Sequence, residues 1–397
     1  MRIAIFTEVY TPYVSGISSY VEVLKTGLER LGHNVVVVTS SLHSDKPVIK
    51  RGVVRCPARK SKNKYGYECR NINDPAVFSA MKKFAPDVVH IHTDTKIGYM
   101  GLSVADKLRI PVVFTVHDNY LDRFASKKSV AAWRFKTFFE KNHFRDMIDN
   151  SQVITSSNKR ASIFVREAGR NRRVMLIPTA ADKRRFDYKR VSRDAVLKMR
   201  RKLDIPLNAV VAVFAGDLSV DKNLEFVFTA FARYMKNYNV HFLIVGGGTE
   251  TDYLKSVCVR LRIRDRVHFT GVVAHSIMPS VLSACDIYVC SSEDSLMSMS
   301  FVEAIACGLP VLVKEDKEKF AYHMIKDGVN GFVYSDEESF TEYLRTLASF
   351  TPEKKQRMKF IVRNSLKNYD AEYMAKSMEK AYKQALKAWN INVDIIK

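Results

Sequence analysis

Short apolar runs alternate with longer segments of helical periodicity along most of the chain. Runs of about four to eight apolar residues are typical of strands buried in a parallel sheet, whereas apolar residues three and four positions apart are typical of helices. The strand-like runs of the first half are Ile3–Phe6, Val35–Val38, Asp87–His92, Ile110–His117, Ile154–Ser157 and Val174–Pro178. Tyr20–Leu31 and Gly98–Leu108 lie between them and have helical spacing. This alternation predicts an α/β domain with a parallel sheet.

The second half repeats the pattern after a charged stretch. Its strand-like runs are Val210–Gly216, Phe242–Val245, Val267–Gly271, Ile287–Val289 and Pro310–Val313, and residues 337–389 are predicted to be helical. A chain of 397 residues is long for one domain and long enough for two that each bury a core. We predict an α/β fold of two doubly wound Rossmann-like domains that face a cleft. The predicted divisions are an N-terminal domain at 1–182, a linker at 183–206, a second domain at 207–372 and a C-terminal helix at 373–397.

Composition places the chain among ordinary globular proteins, with 47% hydrophobic and 27% charged residues. No apolar run approaches the roughly 18 residues that span a bilayer. The opening run Arg2–Phe6 is too short for a signal peptide, which predicts a cytoplasmic chain. The six cysteines have no zinc-like spacing and are predicted to be reduced residues, several of them in the core.

The formal net charge of +22 is the strongest compositional signal. Such an excess of cations favours an anionic partner, which could be nucleic acid, an acidic membrane surface or a phosphorylated substrate. The chain has no zinc-finger spacing and no RNA-binding aromatic signature, so we expect no nucleic-acid partner. Each Lys or Arg near an anionic leaflet contributes about 1 kcal/mol of binding free energy, so a few of them would hold the protein at a membrane.

Two segments concentrate these cations. Residues 41–70 are basic and turn-rich, with Lys60, Lys62, Lys64 and Arg70 expected to be exposed. Residues 126–145 alternate cations with large aromatics, as an interfacial amphipathic helix does. An ordinary helix with its aromatics in the core fits the same spacing, and both interpretations stay open. The predicted membrane-binding residues are Lys127, Lys128, Trp133, Arg134 and Lys136.

A polar loop follows the strand Ile287–Val289 and leads into a predicted helix, Phe301–Cys307, that Gly308 ends. In open α/β sheets ligands bind at the carboxyl ends of the strands, and a helix N-terminus with free N–H groups suits a phosphate. Glu303 places a carboxylate between two apolar residues of this helix. It is a candidate ligand-binding residue, and a solvent-facing residue is the alternative.

This segment resembles the donor-binding signature of the retaining glycosyltransferases of family 4, in which two glutamates are separated by seven residues. Glu303 matches the second glutamate, and Ser295 stands at the position of the first. The resemblance implies that Glu303 binds ribose hydroxyls of a nucleotide-sugar donor and acts in catalysis. The donor-binding residues that it implies in the segment itself are Glu293, Asp294, Ser295, Ser298, Met299 and Ser300.

Other motifs of the same family occur in order along the chain. The resemblance implies that Gly16 lets the backbone approach the donor diphosphate and that Lys222 binds this diphosphate. It implies that Gly247 and Gly248 lie near the nucleotide. The phrase Thr-Val-His ends at His117, which the resemblance identifies as a catalytic residue that contacts the transferred sugar or the acceptor.

Three further residues are predicted not to have these roles. Asp217 stands where the family has a second diphosphate-binding cation, an arginine. A carboxylate repels a diphosphate, and at about 4 Å the change from attraction to repulsion amounts to several kcal/mol. His90 and His92 end an earlier strand and are predicted to be structural hydrogen-bonding residues.

The opening of the chain and its histidine phrases are most similar to bacterial diacylglycerol glycosyltransferases. The resemblance implies a GT-B fold whose C-terminal helix packs back on the first domain. It implies a retaining hexosyltransferase that uses a nucleotide-diphosphate sugar, often UDP-glucose, and a membrane lipid acceptor such as diacylglycerol. No cofactor and no bound metal are expected, and the sequence contains no Asp-x-Asp metal motif. The expected location is the inner face of the cell membrane, as a peripheral cytoplasmic protein.

Two other functions stay open at this point. One is a glycosyltransferase that acts on a polysaccharide or a teichoic-acid intermediate. The other is a catalytically degenerate glycosyltransferase-like subunit that binds a partner enzyme or a lipid, and Ser295 and Asp217 are the residues that favour it.

Overall fold

The computed structural model describes residues 1–63, 65–117, 142–159, 161–235, 237–292, 298–315 and 324–396, without the side chains of 167 and 392–396. The chain divides into two compact units. The first comprises Met1–Thr179 and Ala371–Lys397, and the second comprises Ala180–Asp370. Each unit has its own sheet and its own buried core.

The first unit is a largely parallel sheet with helices between its strands. Within the described residues its strands are β1 (Arg2–Thr7), β2 (Asn34–Ser41), β3 (Val48–Lys50), β4 (Val53–Lys60), β5 (Tyr67–Cys69), β6 (Val88–Ile91), β7 (Val112–Val116), β8 (Val153–Ser156) and β9 (Val174–Leu176). They are ordered β3-β4-β2-β1-β6-β7-β8-β9, and β5 pairs with β4. Only β3 and β5 are antiparallel among these pairs. The helices between the strands include α1 (Gly16–Arg30), α2 (Pro75–Phe84), α3 (Lys96–Leu108) and α4 (Ala161–Glu167). Residues 142–149 are helical as well.

Helix α1 begins four residues before the predicted Tyr20. Ser15 is the N-cap, and its side chain accepts a hydrogen bond of 3.1 Å from the Ser18 N–H. A serine in this position satisfies one of the free N–H groups of the first turn, so the helix starts in polar sequence that has no apolar periodicity. Gly16 is therefore the first residue of a helix, at the carboxyl end of β1.

Residues 41–70 contain the strands β3, β4 and β5 as well as turns, and the apolar pattern did not predict these strands. Strand β4 pairs with β2 in parallel, with Val37 opposite Val53. Val54 and Cys56 of β4 are buried in the core of the first unit. Arg55 alternates with these two residues, as expected for a strand with a buried face and a polar face. The cations of the segment concealed this period of two.

The second unit is an all-parallel sheet, ordered β12-β11-β10-β13-β14-β15. Its strands within the described residues are β10 (Val210–Ala215), β11 (Val240–Val245), β12 (Val267–Gly271), β13 (Ile287–Cys290), β14 (Val311–Lys314) and β15 (Gly331–Tyr334). Its helices are α5 (Arg193–Lys202), α6 (Leu224–Tyr234), α7 (Thr251–Arg260), α8 (Met278–Ser283), α9 (Met299–Ala306), α10 (Glu337–Ala348) and α11 (Pro352–Asn364). Two core clusters, one on each face of the sheet, contain its apolar residues.

The predicted linker, 183–206, lies within the second unit. The guanidinium of Arg200 on α5 is buried and donates hydrogen bonds to the carbonyl oxygens of Ala284 (2.9 Å) and Ala209 (2.8 Å). It also pairs with the Asp286 carboxylate at 2.9 Å. A buried cation with this many partners fixes the segment to the sheet of the second unit, because removing them would leave the charge unpaired.

The C-terminal helix α12 (Ala371–Ile396) belongs to the first unit. It packs against α1, and a Cβ atom added at Gly27 of α1 would lie 2.2 Å from the carbonyl oxygen of Ala371. Gly27 thus permits a backbone contact that no other residue would allow. Tyr382 of α12 is fully buried, and its hydroxyl lies 2.8 Å from Nδ1 of His90. No helix within the described residues is both long and apolar enough to cross a membrane.

Candidate functional site

The strand order of the second unit reverses between β10 and β13. From β10 the chain adds β11 and β12 on one side and then β13 on the other. A crevice forms at the carboxyl ends of the strands at such a point, and ligands of open α/β sheets bind there. The loop segments that start at this point are 216–223, after β10, and 291–292, after β13.

Hydrogen bonds hold these two loops together. The Ser291 hydroxyl donates to the Lys222 carbonyl at 2.6 Å, and the Ser292 hydroxyl donates to the Asp221 carbonyl at 3.0 Å. The Ser300 hydroxyl, in the first turn of α9, donates to the carbonyl of Ala215 at the end of β10. The structure therefore brings Lys222 and the start of α9 to the same point of the sheet, although they are distant in sequence.

Glu303 lies in the second turn of α9 and is 2% exposed. The solvent-facing alternative for this residue is therefore wrong. Its Oε1 lies 2.6 Å from Nε2 of His275, a residue that follows β12. A carboxylate has about four acceptor positions on its two oxygens, so the bond to His275 uses only part of its capacity. The site thus contains a buried carboxylate whose orientation a histidine sets.

The other predicted residues at the start of α9 have different environments. Ser298 is the exposed N-cap, and its hydroxyl accepts a hydrogen bond of 3.3 Å from the Phe301 N–H. Met299 is buried in the protein. The Ser300 hydroxyl lies 2.9 Å from the hydroxyl of Tyr288, in addition to its bond to Ala215. These bonds fix the N-terminus of α9 against β10.

Lys222 forms an ion pair with its neighbour Asp221. Burial raises the pKa of Asp221, but hydrogen bonds from Lys222 and Ser219 outweigh this effect and hold the pKa below its ordinary value. Asp217 is exposed, at the start of the same loop. A diphosphate at this point would compete with Asp221 for the Lys222 ammonium and would be repelled by Asp217.

The glycines after β11 pack against the loop that follows β10. A Cβ atom at Gly248 would lie 2.3 Å from the Leu218 carbonyl oxygen, and one at Gly246 would lie 1.8 Å from the Gly216 carbonyl oxygen. Gly247 accepts a hydrogen bond of 3.1 Å from the Leu218 N–H. Close packing between two loops of the chain therefore explains why glycine is required at 246 and 248.

Several predicted site residues lie outside the described residues. They are Glu293, Asp294 and Ser295 of the donor segment and the membrane-binding residues Lys127, Lys128, Trp133, Arg134 and Lys136. Across the part of the chain that the structure describes, no three His, Cys, Asp or Glu side chains are grouped as a metal site.

The sheet of the first unit has a reversal of the same kind, between β1 and β6. Glu8 follows β1 and is fully buried; its backbone N–H donates to the Thr93 hydroxyl, which follows β6, at 3.0 Å. Its Oε1 accepts a hydrogen bond of 3.1 Å from the Cys69 N–H. Burial raises the pKa of the Glu8 carboxyl. Gly16 lies at this edge with open space where a Cβ atom would be, in contrast to Gly248.

His117 follows β7 and is nearly buried. Its Nε2 lies 2.9 Å from Nδ1 of His92, the two rings stack at 5.2 Å, and Tyr20 packs edge-on against His117 at 5.0 Å. Burial lowers the pKa of His92 well below its ordinary value. His92, which was predicted to be a structural residue, is thus hydrogen-bonded to His117, the predicted catalytic histidine.

His90 is completely buried between two hydroxyl groups. Its Nδ1 bonds to Tyr382, and its Nε2 lies 2.6 Å from the Thr115 hydroxyl, which in turn lies 2.6 Å from the hydroxyl of Thr155. Burial lowers the pKa of His90 to about 3. His90 is therefore a neutral residue that links β6, β7 and α12.

Two family models match the chain. The model described as Glycosyltransferase Family 4 matches residues 14–185, and the model described as Glycosyl transferases group 1 matches residues 196–365. An alpha-monoglucosyldiacylglycerol synthase of Acholeplasma laidlawii is 28% identical over 398 aligned residues, which cover 96% of this chain and 96% of that protein.

The fold is similar to those of solved glycosyltransferase structures. A sucrose-phosphate synthase from Thermosynechococcus elongatus has a TM-score of 0.72 at 18% identity, and the match covers 98% of this chain and 99% of the other. Anabaena HepE, solved in complex with UDP-glucose, has a TM-score of 0.68 at 17% identity and covers 96% and 99%. The predicted α/β fold of two doubly wound domains, of GT-B type, is confirmed.

Proposed function

Since the chain belongs to the glycosyltransferases that combine a family 4 domain with a group 1 domain, and is an enzyme of that class, we propose that it transfers a hexose to a membrane lipid. The proposed donor is a nucleotide-diphosphate sugar, with UDP-glucose as the preferred candidate. The proposed acceptor is diacylglycerol. The transfer retains the anomeric configuration of the sugar. The names of the Acholeplasma relative and of the HepE complex support this choice of acceptor and donor.

The observation that carries the proposal is Glu303, a buried carboxylate at the strand-order reversal of the second unit. In the proposal its free acceptor positions bind the ribose hydroxyls of the donor, while His275 holds its orientation. The N–H groups at the start of α9 and the Lys222 ammonium stabilise the negative charge that develops on the leaving diphosphate. No cofactor is proposed for this step.

The first unit is proposed to position the sugar or the lipid hydroxyl through His117. The bond to His92 and the edge-on contact with Tyr20 fix the plane of the His117 ring. A ring held in one orientation is what positioning a reacting hydroxyl requires. A lipid acceptor places the enzyme at the membrane, on the cytoplasmic face where we propose that the donor is available. The net charge of +22 supports this location.

Turnover by the purified protein tests the proposal. We expect release of the nucleotide and formation of glycolipid when UDP-glucose is supplied with liposomes that contain diacylglycerol, and an α-linked product from an α-linked donor by NMR. A panel of UDP- and GDP-sugars identifies the donor, and reactions without acceptor measure hydrolysis. Product with a soluble glycan alone would replace the lipid acceptor by a polysaccharide or teichoic-acid intermediate.

Asp217→Arg tests the electrostatics of the donor loop. Replacing an exposed carboxylate by a guanidinium beside a bound diphosphate is expected to increase the affinity for UDP about tenfold at low salt, and by less at high salt because the charges are exposed. Titration calorimetry measures both values. Asp265→Arg is the matched control, since Asp265 is exposed just before the amino end of β12, at the opposite edge of the parallel sheet. Equal affinities of the two variants would mean that Asp217 lies away from the diphosphate.

A further inference from the structure

One edge of the first unit exposes large apolar side chains. We define the β3 surface by its apolar members, which are Tyr13, Val14, Leu42, Val48 and Ile49. Ile49 is 59% exposed, and the others are 37% to 47% exposed. Such side chains normally pack in a core, so a group of them on one surface indicates a contact with another body.

The structure joins the members of the β3 surface through the neighbouring strands. Val48 lies opposite Arg55 in the β3–β4 pair, and the Arg55 guanidinium donates to the Thr11 carbonyl at 2.7 Å. This bond holds the loop of Tyr13 and Val14 beside β4. The Tyr13 ring also packs edge-on against Tyr67 of β5, with 5.7 Å between the centroids.

The loop between β2 and β3 belongs to the same surface. Leu42 directly follows β2, and an ion pair of 2.8 Å between Asp45 and Arg70 fastens the loop to the end of β5. Strand β3 pairs with β4 and with no other strand among the described residues, so its outer edge is open.

Cations surround these apolar side chains. Residues 42–70 contain nine Lys or Arg and two Asp or Glu. Both acids are already paired, Asp45 with Arg70 and Glu68 with Arg59 and Lys96. The exposed cations that pair with neither acid are Lys46, Lys50, Arg51, Lys60 and Lys62. The β3 surface therefore combines exposed aliphatic and aromatic groups with a nearly uniform positive charge.

The position of the surface relates it to the candidate site of the first unit. Strands β1, β2 and β4 are parallel to β6 and β7, so their carboxyl ends share one edge of the sheet. Tyr13 and Leu42 follow the carboxyl ends of β1 and β2, and His117 follows the carboxyl end of β7. Whatever binds to the β3 surface therefore lies on the side of the first unit where the parallel strands have their carboxyl ends, which is also the side of His117.

We propose that the β3 surface docks on an anionic lipid membrane. Apolar side chains that enter the headgroup region, with cations beside them that attract acidic lipids, are the pattern of an interfacial contact. An anionic leaflet supplies a continuous negative surface for these cations, whereas a protein partner would have to carry a matching acidic surface of its own. The inference rests on the proposed function, because a lipid acceptor has to be taken from a membrane. It adds a docking element at residues 13–62, distinct from the predicted segment at 127–136.

Sedimentation with liposomes tests this docking. The full-length protein is mixed with vesicles of phosphatidylcholine alone or with phosphatidylglycerol, and the partition coefficient is measured. Ile49→Gln and the double variant Lys46→Glu/Lys50→Glu are each expected to reduce binding to the anionic vesicles about tenfold or more. The double variant is also expected to lose most of the difference between the two kinds of vesicle.

Matched controls separate docking from general effects. Val259→Gln replaces a side chain that is 58% exposed in the second unit, and Lys198→Glu/Lys202→Glu makes the same charge change on α5. Both controls are expected to bind anionic vesicles like the parent. Parent-like binding of the Ile49 and Lys46/Lys50 variants would overturn the proposal. So would a concentration-dependent dimer of the parent that Ile49→Gln abolishes while vesicle binding persists, since β3 would then pair with a second copy.

A second readout distinguishes failure of the docking from failure of the proposed function. Turnover is measured with a short-chain diacylglycerol in detergent micelles, where membrane docking is not needed. The β3 variants are expected to keep parent-like turnover there and to lose it on anionic liposomes. Turnover reduced equally in both systems would overturn the docking role. Vesicle binding is measured without any donor, so it tests the docking even if no sugar donor is accepted.

Discussion

Glu303→Gln is expected to reduce kcat/KM for the nucleotide sugar about 100-fold. The substitution keeps the size of the side chain and an oxygen that can bond to His275, and it removes the negative charge. A hydrogen bond to a charged group contributes about 1.5–3 kcal/mol. Two weakened bonds to the ribose hydroxyls therefore amount to about 3 kcal/mol, which corresponds to about 100-fold. Steady-state kinetics with UDP-glucose, together with UDP binding by calorimetry, measures the effect.

The control for this variant has to exclude unfolding, because Glu303 is buried. Thermal unfolding of Glu303→Gln is expected to resemble that of the parent, since the bond to His275 persists. Glu342→Gln makes the same change at an exposed position on α10 and is expected to leave the kinetics unchanged. A Glu303→Gln protein with the UDP affinity and the turnover of the parent would remove Glu303 from the donor site and would leave the proposal without its main support.

Acidification from pH 6.5 to 4.5 is expected to destabilise the first unit by about 4 kcal/mol through His90 and His92. Burial lowers the pKa of both residues in the folded state, to about 3 for His90 and well below the ordinary value for His92. Below pH 6.5 the unfolded chain binds protons that the folded chain rejects, so the free energy of unfolding falls. The loss approaches 1.4 kcal/mol per pH unit for each histidine. The contribution of these residues to stability is complete above pH 6.5 and decreases toward pH 3.

His92→Phe isolates this effect, because Glu8 has the opposite tendency. Burial raises the pKa of the Glu8 carboxyl. Glu8 therefore makes the folded state more stable as the pH falls, because the buried carboxyl takes up a proton more readily than it does in the unfolded chain. The readout is therefore the difference between variant and parent in denaturant unfolding at several pH values. Between pH 6.5 and 4.5 the free energy of unfolding of His92→Phe is expected to fall by about 2 kcal/mol less than that of the parent. The matched control is His43→Phe, at an exposed position, which should keep the slope of the parent; an unchanged slope for His92→Phe would contradict the assignment.

The alternation of elements could be predicted because buried parallel strands are short apolar runs. Strands β1, β10 and β13 follow this pattern closely. Strand β4 could not be found in the same way, because Arg55 and Arg59 interrupt its apolar residues. The start of α1 depends on the cap at Ser15, a local hydrogen bond that leaves no periodic signal.

The site was predictable in part, for a related reason. Glu303 could be predicted because a carboxylate among the apolar residues of a helix indicates a ligand-binding role. His275 gave no such signal, since the sheet order rather than the sequence brings it to Glu303. The pairing of Lys222 with Asp221 and the bond between His92 and His117 also depend on geometry. The sequence predicted a donor-binding role for Gly248. In the structure, the contact with Leu218 explains why a glycine stands at this position, and the binding role stays a prediction.

The placement of α12 has a consequence for how the protein is synthesised. Its residues, Tyr382 among them, leave the ribosome after the entire second unit, yet the core of the first unit is closed by them. His90 can form its hydrogen bond to Tyr382, 292 positions later in the chain, only after α12 has been synthesised. Domains otherwise fold in order as they emerge during translation. Here the first sheet to be synthesised is completed only after α12 has left the ribosome, so part of its core stays uncovered while the second unit is made.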